Sequence, residues 1–106
     1  MGYYTNYSIK ISGADNANQM VKIASDLSFQ DYEISGSGTE LYIEFEDKWL
    51  NWKEDFQKVS KDFPRVLFEV NGKGEDNEDI WRARFRDGVC EIIRAKIVFD
   101  DFKIVK

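Results

Sequence analysis

The turn dipeptide Asp87-Gly88 constrains the fold more than any other local feature of this sequence. A two-residue type I′ turn needs positive φ at both of its positions, and Asp-Gly is one of the dipeptides that adopt it most readily. The residues before the turn alternate between apolar and polar, which is the pattern of a half-buried strand. The turn therefore predicts an antiparallel hairpin in which Arg84 lies opposite Glu91 and Phe85 lies opposite Cys90.

The strand after this turn changes the parity of its apolar residues. In this register Cys90 and Ile92 point inward, whereas Ala95, Ile97 and Phe99 have the opposite parity. One extra residue in a strand reverses its phase. We therefore expect a β-bulge near Ile92-Ile93, which would place Arg94 and Lys96 on the solvent face of the sheet.

Regular patterns also define the first elements of the chain. Apolar residues alternate with polar ones over residues 7–11, which predicts a half-buried strand. Apolar residues at helical spacing follow over residues 20–27, and Asp15 or Asn16 is available as the N-cap. The first predicted unit is therefore a strand followed by a helix of about three turns.

Further strands and a second helix come next. Two strand patterns flank Gly36-Ser37-Gly38, and they predict a hairpin or one bent strand. Asn51, with Glu54 three residues later, predicts a capping box at the start of a helix. Pro64 ends that helix, and alternation over residues 66–70 predicts the strand that precedes the final hairpin.

These elements follow the order β-α-β(β)-α-β-β-β within 106 residues, which is enough for one domain. We therefore expect a single α+β domain over residues 1–106. Helices that alternate with antiparallel strands commonly pack on one face of the sheet. The expected architecture is ferredoxin-like, with two helices on one face of a mainly antiparallel sheet and extra strands added to it.

The middle of the chain resembles a known family. The residues that carry the resemblance are Trp49, the helix that ends at Phe63-Pro64, Val66-Leu67-Phe68-Glu69-Val70, Gly72, Gly74-Glu75, Asp79-Ile80-Trp81 and Asp87-Gly88. Their pattern is similar to that of the small ferredoxin-like domains of Api92-like and YubB-like proteins from phages and plasmids. The resemblance implies a mobile-element origin and the same fold. It implies no activity and carries over no catalytic residue.

The residue types that are missing exclude several kinds of chemistry. The chain has no histidine, which removes the Ser-His and Cys-His nucleophile systems and nearly every zinc site. Its single cysteine, Cys90, can form no intramolecular disulfide, and its place opposite Phe85 predicts a small core residue. No set of residues converges on a substrate cleft. We therefore expect a protein that is not an enzyme and that holds neither a cofactor nor a metal.

Acidic residues are the first candidates for a binding site. The chain carries 20 acidic against 15 basic residues, a net charge of −5. Such a chain repels nucleic acid at long range and attracts basic partners. The alternative is a solvated loop without a binding role. The residues that we expect to contact a partner lie on one strand and in the loop before the final hairpin: Glu44, Glu46, Glu75, Asp76, Glu78 and Asp79.

A row of arginines is the second candidate. Arg82, Arg84 and Arg86 alternate along one strand, so they share a face at intervals of about 6.6 Å, close to the spacing of successive phosphates. With the expected bulge, Arg94 and Lys96 would join them. Such a surface could bind single-stranded nucleic acid or anchor a protein interface. The alternative is a solvent-exposed face of salt bridges.

The sequence favours a non-catalytic protein-binding module from a phage or another mobile element. Its concrete form would be an anti-CRISPR-like inhibitor that presents acidic residues to the basic groove of a host defence protein. Single-stranded nucleic-acid binding by the arginine face is one alternative, and a homodimerising scaffold domain is another. The sequence shows neither a signal-peptide pattern nor an apolar run of bilayer length, so we expect the protein in the cytoplasm of a bacterial host.

Overall fold

One antiparallel sheet organises the chain. The computed structural model describes residues 4–35, 38–75 and 79–95 and residue 102. The strands within them hydrogen-bond in the order β2-β3-β1-β4-β5-β6, and every neighbouring pair is antiparallel. The elements in chain order are β1 Thr5–Ser12, α1 Ala17–Asp26, β2 Glu33–Ser35, β3 Glu40–Asp47, α2 Trp52–Asp62, β4 Leu67–Gly74, β5 Ile80–Arg86 and β6 Val89–Arg94.

The α+β class expected from the sequence is confirmed by the two helices and the six-stranded antiparallel sheet that the described residues form. This arrangement is compatible with a ferredoxin-like architecture. The hairpin expected on either side of residues 36–38 is confirmed by the antiparallel pairing of β2 with β3. Neither helix of the described part of the chain has the length and apolar character needed to cross a membrane.

Both helices pack on the same face of the sheet, which we call the covered face. Tyr7, Ile9 and Ile11 of β1 point to it and are buried, as the alternation predicted. The opposite face, which bears Ser8 and Lys10 of β1, carries no helix of the described chain, and we call it the open face. Buried helix residues join the strand residues in one hydrophobic cluster: Met20, Ile23, Ala24, Phe56 and Val59.

The two helices begin differently. Asn16 caps α1 as predicted: its backbone is extended, and its Oδ1 accepts a hydrogen bond from the Gln19 N–H at 2.9 Å. The capping box predicted for Asn51 and Glu54 at the start of α2 is wrong, because the Asn51 side chain makes no cap hydrogen bond. Asn51 has φ −102° and ψ 26°, whereas an N-cap side chain reaches the first-turn N–H groups from an extended backbone.

Aromatic rings fasten α2 to the sheet. The Trp52 ring stacks on Trp81 of β5 with centroids 4.2 Å apart, and Phe56 stacks on Phe85 at 5.3 Å. Such pairs contribute about 0.5–1.5 kcal/mol each beyond the area they bury. Gly72 of β4 makes room for the Trp81 ring, since a Cβ at this position would lie 2.2 Å from indole carbons. This glycine is therefore required by packing.

The final hairpin has the predicted turn and register. Asp87 has φ 49° and Gly88 has φ 78°, so both residues of the turn adopt positive φ. The Cα partners are those expected, with Arg84 opposite Glu91 and Phe85 opposite Cys90. The two-residue turn therefore determined the pairing of β5 with β6.

A buried serine attaches this turn to α2. Ser60 is fully buried, and its Oγ accepts a hydrogen bond from the Gly88 N–H at 3.0 Å. The same hydroxyl donates to the Gln57 carbonyl oxygen at 3.0 Å. Both roles of the hydroxyl are thereby filled, and the hairpin is held against the helix.

The bulge predicted near Ile92-Ile93 is wrong. The pairing of β6 with β5 continues without interruption to Arg94, which lies opposite Trp81 and so belongs to the covered face. Two features explain why the apolar parity did not decide the geometry. β6 is the last strand in the described sheet, where side chains are at most half-buried. Asp79 also offers Arg94 an ion pair on that side, with N–O at 3.3 Å.

Candidate functional site

Charge is segregated along the open face. The register places carboxylates on β2 and β3 and guanidinium groups on β5, which is three strand spacings or about 14 Å from β3. Glu44 and Glu46, both predicted partner contacts, lie at successive outward positions of β3. The acidic half of the open face consists of Glu33, Glu40, Glu44 and Glu46, and its arginine row consists of Arg82, Arg84 and Arg86.

The central strands present mainly short polar and charged side chains between these two groups. β1 and β4 are both described in full, and neither carries an aromatic residue on the open face. Sheet-face RNA-binding domains stack bases on aromatic residues of their strands. The residues at these positions are Asn6, Ser8, Lys10, Ser12, Leu67, Glu69, Asn71 and Lys73.

Tyr42 orders one carboxylate of the acidic half. Its hydroxyl donates a hydrogen bond to Oε1 of Glu44 and lies 2.9 Å from Ser8 Oγ. Because the Tyr42 hydroxyl has one proton and gives it to Glu44, Ser8 is the donor to Tyr42. Glu44 therefore accepts a hydrogen bond from a neighbouring side chain of the same strand.

Few charges of the open face are paired. Lys10 Nζ lies 3.9 Å from Glu40, and Arg84 lies 3.3 Å from Glu91. About half or more of each of these side chains is exposed, so each pair adds at most about 1 kcal/mol. Within the described residues, no ion pair involves five charged groups of this face: Glu33, Glu44, Glu46, Arg82 and Arg86.

The loop before the final hairpin does not add a described acidic cluster to β3. Glu75 accepts a hydrogen bond from the Tyr4 backbone N–H at 3.0 Å. Asp79 pairs with Arg94 on the covered side of the hairpin. The other two predicted contacts in this loop lie outside the described residues: Asp76 and Glu78.

The arginine row forms as predicted, but without its expected additions. Arg82, Arg84 and Arg86 project from one face of β5. The prediction that Arg94 joins them is wrong, because β6 runs without a bulge and places Arg94 on the other face. Lys96 lies outside the described residues. Exposed apolar side chains on the same face accompany the row: Ile80, Val89 and Ile93.

Cys90 fills a packing position. It lies opposite Phe85, is half-buried and contacts the core cluster. Burial raises the pKa of its thiol, and the nearby Lys53 opposes this only in part. A raised pKa disfavours the thiolate, which is the reactive form of cysteine. The environment of Cys90 is therefore that of an unreactive thiol.

Sequence patterns did not reveal an open groove on the helix side of the molecule. It has a volume of about 780 Å³ and lies between the loop after α1, the end of β3 and α2. Its floor contains Phe29, Phe45 and Trp49, whose ring centroids are 5.8 to 6.2 Å apart. The exposed acidic residues along its lining are Asp26, Asp31, Asp47, Asp55 and Asp62.

Two signals in the sequence could have pointed to this groove. Asp55 and Asp62 are seven residues apart on α2, so they share one side of the helix. Asp26 is the last residue of α1, where the negative end of the helix dipole disfavours a carboxylate. The remaining aspartates come from other elements, and only the fold brings them together.

Neither metal ligands nor relatives give further guidance. In the parts of the chain that the structure describes, no group of three or more acidic or cysteine side chains is placed to hold a metal ion. Comparison of the chain with protein-family models, with curated proteins and with solved structures finds no match. Its function is therefore argued from charge and geometry.

Proposed function

We propose that the protein is a non-catalytic protein-binding module that docks through the acidic half of its open face. The observation that supports this most is the set of carboxylates on β2 and β3 that have no ion pair among the described residues, of which Glu44 also accepts a hydrogen bond from Tyr42. Side chains that are already ordered lose less conformational entropy on binding. The complementary partner is a protein with a basic groove.

In its concrete form, the proposal is a ferredoxin-like inhibitor that a phage or another mobile element directs against a host defence protein. Proteins that bind nucleic acid do so through grooves rich in lysine and arginine, because they neutralise phosphates. An acidic sheet face can occupy such a groove in place of nucleic acid. Opposite charges also accelerate association and make it sensitive to salt.

Binding of single-stranded nucleic acid is a second candidate, favoured by the arginine row. Arg82 and Arg86 have no ion-pair partner among the described residues, and exposed Val89 and Ile93 lie beside them. The lack of aromatic residues on the fully described strands β1 and β4 disfavours base stacking. If this candidate is correct, Arg84→Glu weakens oligonucleotide binding, and affinity falls steeply with salt.

Two variants separate the open face from the rest of the acidic surface. The face triple variant carries Glu33→Gln, Glu44→Gln and Glu46→Gln. The groove triple variant carries Asp26→Asn, Asp31→Asn and Asp62→Asn and is the matched control, because it also removes three negative charges from exposed positions. Each variant and the parent chain serve as bait in a nuclease-treated lysate of bacteria that carry defence systems and in a parallel untreated lysate, and bound proteins are quantified by mass spectrometry.

The proposal requires one protein to be retained stoichiometrically by the parent and by the groove triple variant. The face triple variant should retain about tenfold less of it, as expected for the loss of charged contacts. Equal retention by the face triple variant contradicts the proposed interface. Retention that disappears after nuclease treatment favours the arginine row and nucleic acid instead, and a bait that retains nothing contradicts both functions.

A further inference from the structure

We propose that the groove between the loop after α1, the end of β3 and α2 binds an arginine side chain from an extended segment of a partner protein. The groove lies on the helix side of the sheet, opposite the open face. Binding at this groove therefore does not depend on the function proposed above. Three features of the groove favour an arginine ligand: its aromatic floor, the charge of its lining and its size.

The floor of the groove is aromatic, and two of its rings, Phe45 and Trp49, are partly exposed. Trp49 is half-buried and packs against Phe29, Phe45 and Phe56, the last at a centroid distance of 5.1 Å. Its indole N–H donates to Oδ2 of Asp55 at 2.7 Å, which fixes the ring. Guanidinium groups stack on aromatic faces and are more weakly hydrated than ammonium groups. The floor therefore favours arginine over lysine.

The lining supplies the complementary charge. Five aspartates and one lysine, Lys58, line the groove. Within the described residues, Asp26, Asp31 and Asp62 have neither an ion pair nor a hydrogen-bond partner for their side chains. Carboxylates at such positions can accept the paired N–H groups of a guanidinium. The carbonyl end of α1 adds further negative potential beside Asp26.

The geometry also narrows the class of ligand. The aspartates of the groove do not form a group of three or more that could hold a metal ion, and neither do the other described acidic residues. The groove has a volume of about 780 Å³, which lies within the range of roughly 300 to 1,000 Å³ for ligand pockets and is more than one guanidinium fills. An arginine with its flanking backbone and side chains fits both the volume and the mixture of apolar floor and acidic lining.

The test uses a heptapeptide of glycine and serine with one central arginine, acetylated and amidated at its ends. Matched peptides carry citrulline, which has the same shape without the charge, or lysine. Each is titrated into the full chain at about 0.15 M salt while the indole N–H signals of the tryptophans are followed by NMR. Trp49 lies in the groove, whereas Trp52 and Trp81 stack on each other elsewhere and serve as internal references.

The arginine peptide should shift the Trp49 signal and leave the signals of Trp52 and Trp81 nearly unchanged. The citrulline peptide, and the arginine peptide with the groove triple variant, should bind about tenfold more weakly. The face triple variant should bind the arginine peptide like the parent chain, so this test is independent of the proposed function. No shift of Trp49, equal binding of the citrulline or lysine peptide, or equal losses in both triple variants would overturn the assignment.

Discussion

The covered face and the open face of the sheet hold their side chains by different forces. On the covered face, Ile9, Phe68 and Phe85 are completely buried, and burial of one such side chain contributes about 1.5–3 kcal/mol. On the open face, the described ion pairs Lys10–Glu40 and Arg84–Glu91 are exposed and contribute at most about 1 kcal/mol each.

Folding stability therefore depends mainly on the covered face, whereas the charges that a partner can contact lie on the open face. The covered face can change little, because its apolar side chains form one hydrophobic cluster with those of the helices. The charges of the open face can be rearranged at little cost in folding free energy. A small domain can therefore present a segregated charge pattern to a partner without weakening its own core.

Truncation of an aromatic ring should give the largest difference in unfolding free energy between the covered face and the open face. Phe56→Ala should lower the free energy of unfolding by about 3–5 kcal/mol, because Phe56 is fully buried and stacks on Phe85. Tyr42→Ala, an aromatic truncation on the open face, should cost about 1 kcal/mol or less. Urea denaturation of both variants measures the comparison, and similar losses would refute it.

Removal of a hydroxyl tests the same comparison with a smaller change. Ser60→Ala leaves the Gly88 N–H without its acceptor at the buried junction of α2 and the hairpin, which should cost about 1–3 kcal/mol. Ser8→Ala removes a hydrogen bond to the exposed Tyr42 and should cost about 0.5 kcal/mol or less. A Ser8 variant as unstable as the Ser60 variant would show that the open face also stabilises the fold.

Alkaline pH should affect the covered face through Tyr7. Burial raises the pKa of Tyr7 above its ordinary value of 10.0, so the folded state keeps a proton that the unfolded state releases. The resulting stabilisation is complete below pH 10 and is lost as the pH rises from about 10 towards the folded-state pKa. Tyr7→Phe should flatten this decline.

The measurement is the unfolding free energy from pH 8 to 11, in a Cys90→Ala background. Burial also raises the pKa of the Cys90 thiol above its ordinary value of 9.0, so this group too makes the folded state less stable as the pH rises. The Cys90→Ala background removes this second contribution. A decline that persists unchanged in Tyr7→Phe would exclude Tyr7 as its source.

The smallest expected effect is the coupling between Arg84 and Glu91 on the open face. A double-mutant cycle with alanine at each position should give about 0.2–1 kcal/mol, because both side chains are mostly exposed. Salt screens exposed charges, so the coupling should shrink at about 1 M NaCl. A coupling that is larger, or insensitive to salt, would mean that this pair is less solvated than its exposure indicates.

Much of the fold could be predicted because its elements are strictly periodic. The alternation of β1 assigned Tyr7, Ile9 and Ile11 to the core, and the Asp87-Gly88 turn determined the register of the last hairpin. Such patterns involve residues that are close in the sequence, and few local structures are compatible with them. The class of the fold followed from the order of the elements.

Other features could not be predicted, because they depend on more than the local pattern. The side chain of Asn51 misses its cap because of its backbone angles, which the residue type does not determine. Arg94 faces the covered side because an edge strand buries little and Asp79 is within reach. Apolar parity therefore predicts orientation well in central strands and poorly at the edge of the sheet.

The candidate sites, too, could be predicted only as far as they depend on the local pattern of the sequence. The outward direction of Glu44 and Glu46 follows from the parity of β3, but their distance from the arginine row depends on the strand order. The groove needs the loop after α1, the end of β3 and α2 to meet, and no local pattern encodes that meeting.

The most direct test of the proposed division between the two faces compares the face triple and groove triple variants at equal folded fraction. Both remove three negative charges, and both should unfold within about 0.5 kcal/mol of the parent chain. The deciding quantity is the amount of partner protein that each variant retains from nuclease-treated lysate. We expect the groove triple variant to retain it like the parent and the face triple variant to lose most of it. Full retention by a folded face triple variant would contradict the assignment of binding to the open face.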